Sequence, residues 1–252
     1  MDYYTINSTF SLMKNIPRYY SQETSKSGRL IDKLVMDKYV NYWKTSPQKK
    51  VNGVFVEIGA FDGITYSNTK AIEDNLNWTG ILIEPSPDCF QILSKNRPKT
   101  INIGSAISSV KSEYLEFYDD AGSLGGFTHI LDKCVQKSGR SWVDAWKINT
   151  IPIEVNVDKL SNIFDNNKIK YVDFLSIDVN GAQLEVLETI NWDVPIYVIS
   201  IDFSAWGEFG KNMAKKSREL LSSKGFIMDD KLDDDEIWVN NNYFRKKLLT
   251  SI

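Results

Sequence analysis

Short apolar runs alternate with amphipathic stretches between Gly53 and Val239. The runs predict buried strands over 54–58, 80–84, 100–107, 173–178 and 196–203, with an exposed strand over 113–118. Apolar residues at helical spacing predict helices over 66–76, 87–96, 182–190 and 211–224. This alternation is typical of a parallel sheet covered by helices on both faces. Two last strands, over 225–228 and 236–239, are expected to form an antiparallel hairpin at one edge of that sheet.

Three segments stand outside this pattern. Residues 1–50 contain one amphipathic stretch, over 29–43, and we interpret them as an N-terminal helical extension of a domain spanning 51–252. Residues 119–150 form a glycine-rich insertion with Trp142 and Trp146 at helical spacing. Long insertions in compact domains are usually functional or disordered, and the aromatic residues favour a substrate-binding loop. The acidic run over 229–236 is interpreted as a solvated turn.

Composition narrows the class of protein. The 252 residues carry a net charge of -3, which gives no general attraction to phosphate backbones, so we expect no nucleic-acid partner. Cys89 and Cys134 are far apart and form neither a disulfide framework nor a zinc motif. No apolar run is long enough for a signal peptide or a membrane span. We therefore expect a cytoplasmic protein without a membrane partner.

Carboxylates follow several of the predicted strands. Glu57, Glu84, Asp178 and Asp202 each stand at the carboxyl end of one. Ligands of open parallel sheets bind at that end, so these four side chains are expected to gather around one ligand. An acidic residue at the end of the second strand is suited to the hydroxyl groups of an adenosine ribose.

The loop after the first strand separates two classes of cofactor. It holds Gly59 and Gly63 but lacks the third glycine that dinucleotide-binding loops carry. Its carboxylates, Glu57 and Asp62, would repel a pyrophosphate and would attract the ammonium and sulfonium groups of S-adenosylmethionine. The pattern favours the adenosyl cofactor over NAD.

Four segments together resemble the FkbM family of methyltransferases. They are FVEIGAFDGITYSNT (55–69), GILIEPSP (80–87), NIGSAIS (102–108) and VDFLSIDVNGAQLEVLETI (172–190). The resemblance implies a class I, Rossmann-like methyltransferase fold with a seven-stranded, mostly parallel sheet. It also implies S-adenosylmethionine as cofactor and O-methylation, commonly of sugars or other small hydroxylated products. Two residues depart from the family pattern, because Asn180 and Asp202 stand where the family usually has Glu.

The same resemblance implies which residues bind the cofactor. Glu57, Gly59, Asp62 and Gly63 are expected at its methionine end, with Thr65 and Ser67 near the carboxylate. Glu84 is expected to hold the ribose. The remaining predicted contacts are Ala106 and Ile107 against the adenine, together with Ala60, Phe61, Pro85 and Asp178.

Methyl transfer to an alcohol requires a base or a metal, because the pKa of an alcohol lies far above neutrality. Asp178 and Asp202, at adjacent strand ends, are candidate ligands for Mg²⁺ or Mn²⁺. Alternatively, Asp178 or His129, the one histidine of the chain, acts directly as the base. The predicted partner is a glycan or small molecule that carries hydroxyl groups.

Other interpretations remain open at this point. The chain could be a methyltransferase-fold protein that binds a cofactor or partner without catalysis, as the Asn180 departure hints. An NAD-dependent oxidoreductase is disfavoured by the loop. The N-terminal helix is expected to cover the sheet, an active-site edge or a homodimer interface.

Overall fold

The computed structural model describes residues 18–21, 30–40, 53–119, 123–148, 151–204 and 207–241. Within these ranges eleven strands form two sheets. In chain order the strands are β1 (Val54–Ile58), β2 (Thr79–Ile83), β3 (Ile101–Ile103), β4 (Ala106–Ile107), β5 (Tyr114–Tyr118), β6 (Gly126–Phe127), β7 (Ile153–Asp158), β8 (Val172–Ile177), β9 (Ile196–Asp202), β10 (Phe226–Leu232) and β11 (Asp235–Asn240). The α-helices are α1 (Ile31–Leu34), α2 (Lys70–Leu76), α3 (Pro87–Asn96), α4 (Thr128–Leu131), α5 (Trp142–Trp146), α6 (Leu160–Asn166), α7 (Gln183–Glu188) and α8 (Gly207–Ser223).

The larger sheet has seven strands in the order β10-β11-β9-β8-β1-β2-β3. Five neighbouring strands, β9, β8, β1, β2 and β3, run parallel, and β3 forms one edge of the sheet. At the other edge β11 and β10 form a hairpin that is antiparallel to β9. The predicted class I, Rossmann-like architecture with a mostly parallel sheet and an antiparallel edge is confirmed. Because β1 pairs with β2 on one side and with β8 on the other, the direction of winding reverses at β1. Ligands of such sheets bind at the carboxyl ends of the strands beside this reversal.

Both faces of this sheet are buried, as the continuous apolar runs predicted. Phe55 pairs with Phe174 and contributes to one core cluster, while the next residues, Val56 and Leu175, contribute to the other. Side chains alternate between the faces of a strand, so a single strand supplies two cores. The rigid strands fix the positions of the residues that follow them.

The N-terminal helical extension is present as α1, followed directly by a π-helical stretch, Val35–Val40. Val35 and Met36 are buried in the cluster that contains Phe55, and Tyr39 donates a 2.6 Å hydrogen bond from its hydroxyl to Asp229. The extension therefore covers one face of the sheet. The predicted boundary at residue 50, and most of residues 1–50, lie outside the described residues.

The smaller sheet corrects the predicted third strand. The strand expected over 100–107 is divided into β3, in the larger sheet, and β4, which pairs with β7 in a four-stranded sheet of order β4-β7-β5-β6. The division falls at Gly104, where an added Cβ would lie 3.2 Å from the ring of Phe90. The sequence pattern did not predict β7 or α6.

The insertion over 119–150 folds, within its described part, into β6, α4 and α5. Leu131, Cys134 and Trp142 are buried in a core of their own with Phe117 and Val155 of the smaller sheet. The insertion is thus a packed layer beside the larger sheet. None of the helices in the described ranges is long and apolar enough to cross a membrane.

Candidate active site

A cavity of about 420 Å³ opens at the carboxyl ends of β1, β2, β8 and β9. The loop after β1 forms its floor, the smaller sheet and the insertion form one wall, and the β10–β11 turn contributes to its rim. Most of the predicted site residues line it: Glu57, Gly59, Ala60, Phe61, Thr65, Ser67, Glu84, Pro85, Ala106, Ile107, Asp178 and Asp202. Asp62, Gly63 and His129 do not belong to its lining.

The floor of the cavity requires glycine at its first position. Gly59 has φ +81, and a Cβ there would lie 1.9 Å from the carbonyl oxygen of Asp178. The N–H groups of Gly59 and Ala60 both donate to the carbonyl oxygen of Ile83, at 3.0 and 3.1 Å. The backbone of the loop therefore lies directly across the ends of β2 and β8. Glycine at this position is therefore required for the close packing of the loop on the end of β8.

Glu57 organises the loop from below. Its carboxylate accepts hydrogen bonds from the N–H of Asn68 at 2.7 Å and from the hydroxyls of Ser67 and Thr69 at 2.9 and 2.6 Å. Burial raises the pKa of Glu57, while the nearby Arg97 cation and these hydrogen bonds act in the opposite direction. The predicted role of Glu57 at the methionine end is therefore partly indirect, because its carboxylate accepts three hydrogen bonds from the loop itself.

Arg97 is a residue that the sequence analysis missed. Its side chain is fully buried and forms an ion pair with Glu73. It also donates to the carbonyl oxygen of Gly63 at 2.9 Å and to the hydroxyls of Ser67 and Thr69 at 3.3 and 3.2 Å. The end of α3 thereby holds the loop after β1 from behind. Nothing in the local sequence distinguishes this arginine from an exposed residue at a helix end.

Asp62 and Gly63 support the loop and do not reach the cavity. Asp62 accepts hydrogen bonds from the N–H groups of Ile64 and Thr65 at 2.8 and 2.6 Å. Gly63 has φ +78, and a Cβ there would lie 2.5 Å from Leu93. Neither residue belongs to the described lining of the cavity, whereas Thr65 and Ser67, which follow them, do. The contact of Asp62 and Gly63 with a cofactor stays a prediction. The helix predicted from residue 66 begins only at Lys70, because residues 65–68 still belong to the loop that lines the cavity.

Glu84 stands at the end of β2 and faces the cavity. Its two carboxylate oxygens accept hydrogen bonds from the N–H groups of Phe61 and Ser86, both at 2.8 Å. Phe61 adopts φ 49, a conformation that few non-glycine residues take, and this bond helps to hold it there. The carboxylate is therefore fixed in orientation.

Three carboxyl groups line the cavity at the ends of neighbouring strands. Asp178 follows β8, Asp202 ends β9, and Asp235, which begins β11, is paired directly with Asp202. Burial, with the nearby charges of Asp202 and Glu57, raises the pKa of Asp178 to about 8. Burial, with the nearby charges of Asp202, Asp178 and the β10–β11 turn, raises the pKa of Asp235 to about 8. Burial also raises the pKa of Asp202. Like charges brought together in a partly desolvated place favour protonation.

These carboxyl groups give the predicted metal site no support. Across the described ranges, no group of three or more His, Cys, Asp or Glu side chains is arranged to hold a metal ion. Asp202 instead accepts a hydrogen bond from the hydroxyl of Ser204, and its carbonyl oxygen accepts one from Gln183.

His129 lies apart from the cavity. Its Nε2 is 2.8 Å from Glu185 Oε1, and its ring lies 5.3 Å from that of Phe127. The structure therefore does not bring His129 to Asp178, and the alternative in which it acts as the base loses its geometric basis.

The acidic run over 229–236, predicted to be a solvated turn, belongs to β10, β11 and the turn between them. Asp233, Asp234 and Asp235 line the cavity. Glu236 is buried between Arg218 and Lys231, at 2.9 and 3.1 Å. A turn between two strands of the sheet thus brings its carboxylates over the ends of the neighbouring strands.

The insertion contributes Phe127, Trp142 and Trp146 to the aromatic part of the lining. Trp142 is buried, in agreement with a packing role, whereas Trp146 is 49% exposed. Tyr66, from the loop after β1, is 46% exposed at the same cavity. The cavity therefore combines acidic groups at the strand ends with aromatic rings toward its opening.

Comparison with known proteins agrees with this geometry. The model of the methyltransferase FkbM domain matches residues 57–228. The chain is 24% identical over 170 residues to the methyltransferase sdnD of Sordaria araneosa, a match that covers 58% of this chain and 63% of sdnD.

Two solved structures match the chain at low sequence identity. The methyltransferase FkbM from Methylobacillus flagellatus has a TM-score of 0.45 at 12% identity, over 78% of this chain and 47% of that chain. The O-methyltransferase from Bacillus cereus, in complex with S-adenosylhomocysteine (SAH), has a TM-score of 0.45 at 12% identity, over 94% and 90% of the two chains. The domain match spans most of the chain and includes the loop after β1, Glu84 and Asp178. The chain therefore belongs to the FkbM family of methyltransferases.

Proposed function

We propose that this protein uses S-adenosylmethionine to methylate a hydroxyl group of an uncharged glycan or polyol. The observation that carries the proposal is the charge of the cavity. Its described lining contains seven carboxylic acids and no Lys, Arg or His: Glu57, Glu84, Asp178, Asp202, Asp233, Asp234 and Asp235. A pyrophosphate would be repelled there, whereas a cationic donor is attracted.

The residues present fit the donor part by part. Glu84, which Phe61 and Ser86 hold in place, would accept hydrogen bonds from ribose hydroxyls. Ala106 and Ile107 form an apolar surface for the adenine, beside Pro85. Gly59 and Ala60 line the cavity on its floor, and the methionine end would lie against them.

The bound donor supplies a methyl group on a positively charged sulfur, which is already a good leaving group. The protein has to orient the acceptor hydroxyl and to remove its proton. Asp178 is the candidate base, since its carboxyl is open to the cavity at the end of the central strand β8. With a pKa of about 8 in the empty cavity, this group is a stronger base than an ordinary carboxylate. A positive charge entering the cavity favours its ionised form.

The acceptor side favours a neutral molecule with apolar faces. Trp146 and Tyr66 are half-exposed at the cavity, and rings of this kind pack against the C–H faces of sugars. An acceptor carrying phosphate, sulfate or carboxylate would meet the carboxylates of the β10–β11 turn. We therefore propose a glycan or polyol without anionic groups.

Two measurements test the proposal. Calorimetry with SAH and with NAD tests the cofactor class. Binding of NAD without any binding of SAH would overturn the proposal. Transfer of a labelled methyl group from S-adenosylmethionine to neutral sugars tests the reaction. Asp178→Ala is expected to abolish transfer while SAH still binds, a result that also separates an enzyme from a non-catalytic binding protein.

A further inference from the structure

Residues 123–127, which we name the wall segment, form a continuous stretch of the cavity lining on the side of the insertion. The segment contains β6 and faces the same space as Asp178. Only two of its residues are in a strand, and β6 pairs with β5 through Phe117–Phe127 and Tyr118–Gly126 alone. Other contacts must therefore determine where the segment lies.

Asn180 supplies two of these contacts. Its side-chain Nδ2 donates hydrogen bonds to the carbonyl oxygens of Ser123 and Gly125, at 3.0 and 2.8 Å. Both acceptors are carbonyls, so the bonds require a donor, and only the amide nitrogen of asparagine can serve. Asn180 follows Asp178 by two residues and lies just beyond the end of β8. One residue thus joins the wall segment to the strand that carries the candidate base.

Packing on the opposite side restricts the segment further. A Cβ at Gly125 would lie 2.6 Å from the carbonyl oxygen of Tyr118 and 3.0 Å from the ring of Phe117. Trp142 adds a weaker bond, from its Nε1 to the carbonyl oxygen of Leu124 at 3.3 Å. The wall segment is held between β5 and Asn180, with little space to move toward β5.

We propose that Asn180 is a positioning residue that fixes the wall segment relative to Asp178 and so determines the shape of the acceptor side of the cavity. The two hydrogen bonds of Asn180 are present whatever the reaction is. That an acceptor binds on this side of the cavity rests on the proposed function. Asn180 acts through the wall segment and has no part in proton transfer.

The test is hydrogen exchange of the ligand-free protein in wild type and in Asn180→Asp. The substitution keeps the shape of the side chain but replaces the donor by an oxygen that repels both carbonyls. Backbone amides of the wall segment are expected to exchange about tenfold faster or more, while those of β1 and β8 are unchanged. Asn156→Asp, an exposed residue of β7, is the matched control for the added charge.

Gly125→Ala reaches the same segment from its other side. It leaves Asn180 intact, yet the added methyl group must displace the chain, so faster exchange confined to the wall segment is expected again. Once an acceptor is known, both variants are expected to raise its KM more than they lower kcat, with the KM of S-adenosylmethionine unchanged.

Wall-segment exchange equal to wild type in Asn180→Asp would overturn the proposal, as would faster exchange spread evenly over the whole domain. Because the exchange experiment uses no ligand, its result is independent of the cofactor. Failure of SAH to bind the wild-type protein would instead contradict the proposed function and leave the exchange result standing.

Discussion

The guanidinium of Arg97 donates a 2.9 Å hydrogen bond to the carbonyl oxygen of Gly63 from a fully buried position. This contact joins the end of α3 to the loop that forms the cavity floor. The same guanidinium pairs with Glu73 and lies near the buried carboxylate of Glu57. One cation thus balances two acidic residues and fixes the loop between them.

Arg97→Met is expected to lower the free energy of unfolding by about 3–5 kcal/mol, because a buried carboxylate then loses its partner. The affinity for SAH is expected to fall as well, since the loop loses its support. Urea denaturation and calorimetry measure the two effects. Lys95→Met, at an exposed position of the same helix, is the control and should change stability by no more than about 0.5 kcal/mol. Equal stability of the two variants would refute the role of Arg97.

Glu84→Gln is expected to weaken SAH binding by about 10- to 100-fold, as expected for loss of a charged hydrogen-bonding group. The amide of glutamine would also turn an NH₂ group toward the N–H of either Phe61 or Ser86, so the floor of the cavity is disturbed. Calorimetry with SAH measures the loss. Glu219→Gln, on the exposed side of α8, provides the control. If Glu84→Gln bound SAH as tightly as the wild type, the proposal that Glu84 binds the ribose would be wrong.

The sequence predicted the strand-based part of this site because local rules determine it. Glu57, Glu84 and Asp178 follow long apolar runs, and the geometry of parallel strands brings such residues together. Arg97 could not be recognised in the same way, since its burial depends on where α3 packs and not on its own neighbours.

Short elements and turns limited the prediction elsewhere. β4 and β6 have two residues each, fewer than any periodicity can reveal. β7 does alternate, with Ile153, Val155 and Val157 on one side, so the sequence carries the pattern of this strand. The acidic turn at Asp233–Asp235 reaches the cavity only because β11 pairs beside β9, a tertiary relationship that composition does not contain.

The raised pKa of Asp178 predicts that donor binding depends on pH. Below about pH 8 the carboxyl is mostly protonated in the empty cavity, and binding a cation must release that proton. The affinity for S-adenosylmethionine is therefore expected to rise with pH, by up to about tenfold per unit between pH 6 and 8, and to level off above. SAH, whose sulfur is neutral, is expected to show a smaller slope.

Calorimetry over this pH range, in two buffers of different ionisation enthalpy, measures both the slope and the released proton. Asp178→Asn is expected to reduce the slope for S-adenosylmethionine toward that for SAH. Asp202 and Asp235 titrate in the same cavity with raised pKa values, so part of the slope is expected to remain. Identical slopes for the two ligands in the wild type would contradict the proposed linkage.

The charge of the cavity also predicts which acceptors bind. In the presence of saturating SAH, a neutral glycan is expected to raise the melting temperature, because a ligand of the native state stabilises it by mass action. Its phosphorylated form is expected to bind about tenfold more weakly or worse at low ionic strength, and added salt should reduce the difference. Asp234→Asn, at the exposed rim of the cavity, should also reduce it. Asp193→Asn, which precedes β9 at the opposite end of the strands, should not. Preferential binding of the phosphorylated form would show that the carboxylates of the β10–β11 turn do not face the acceptor.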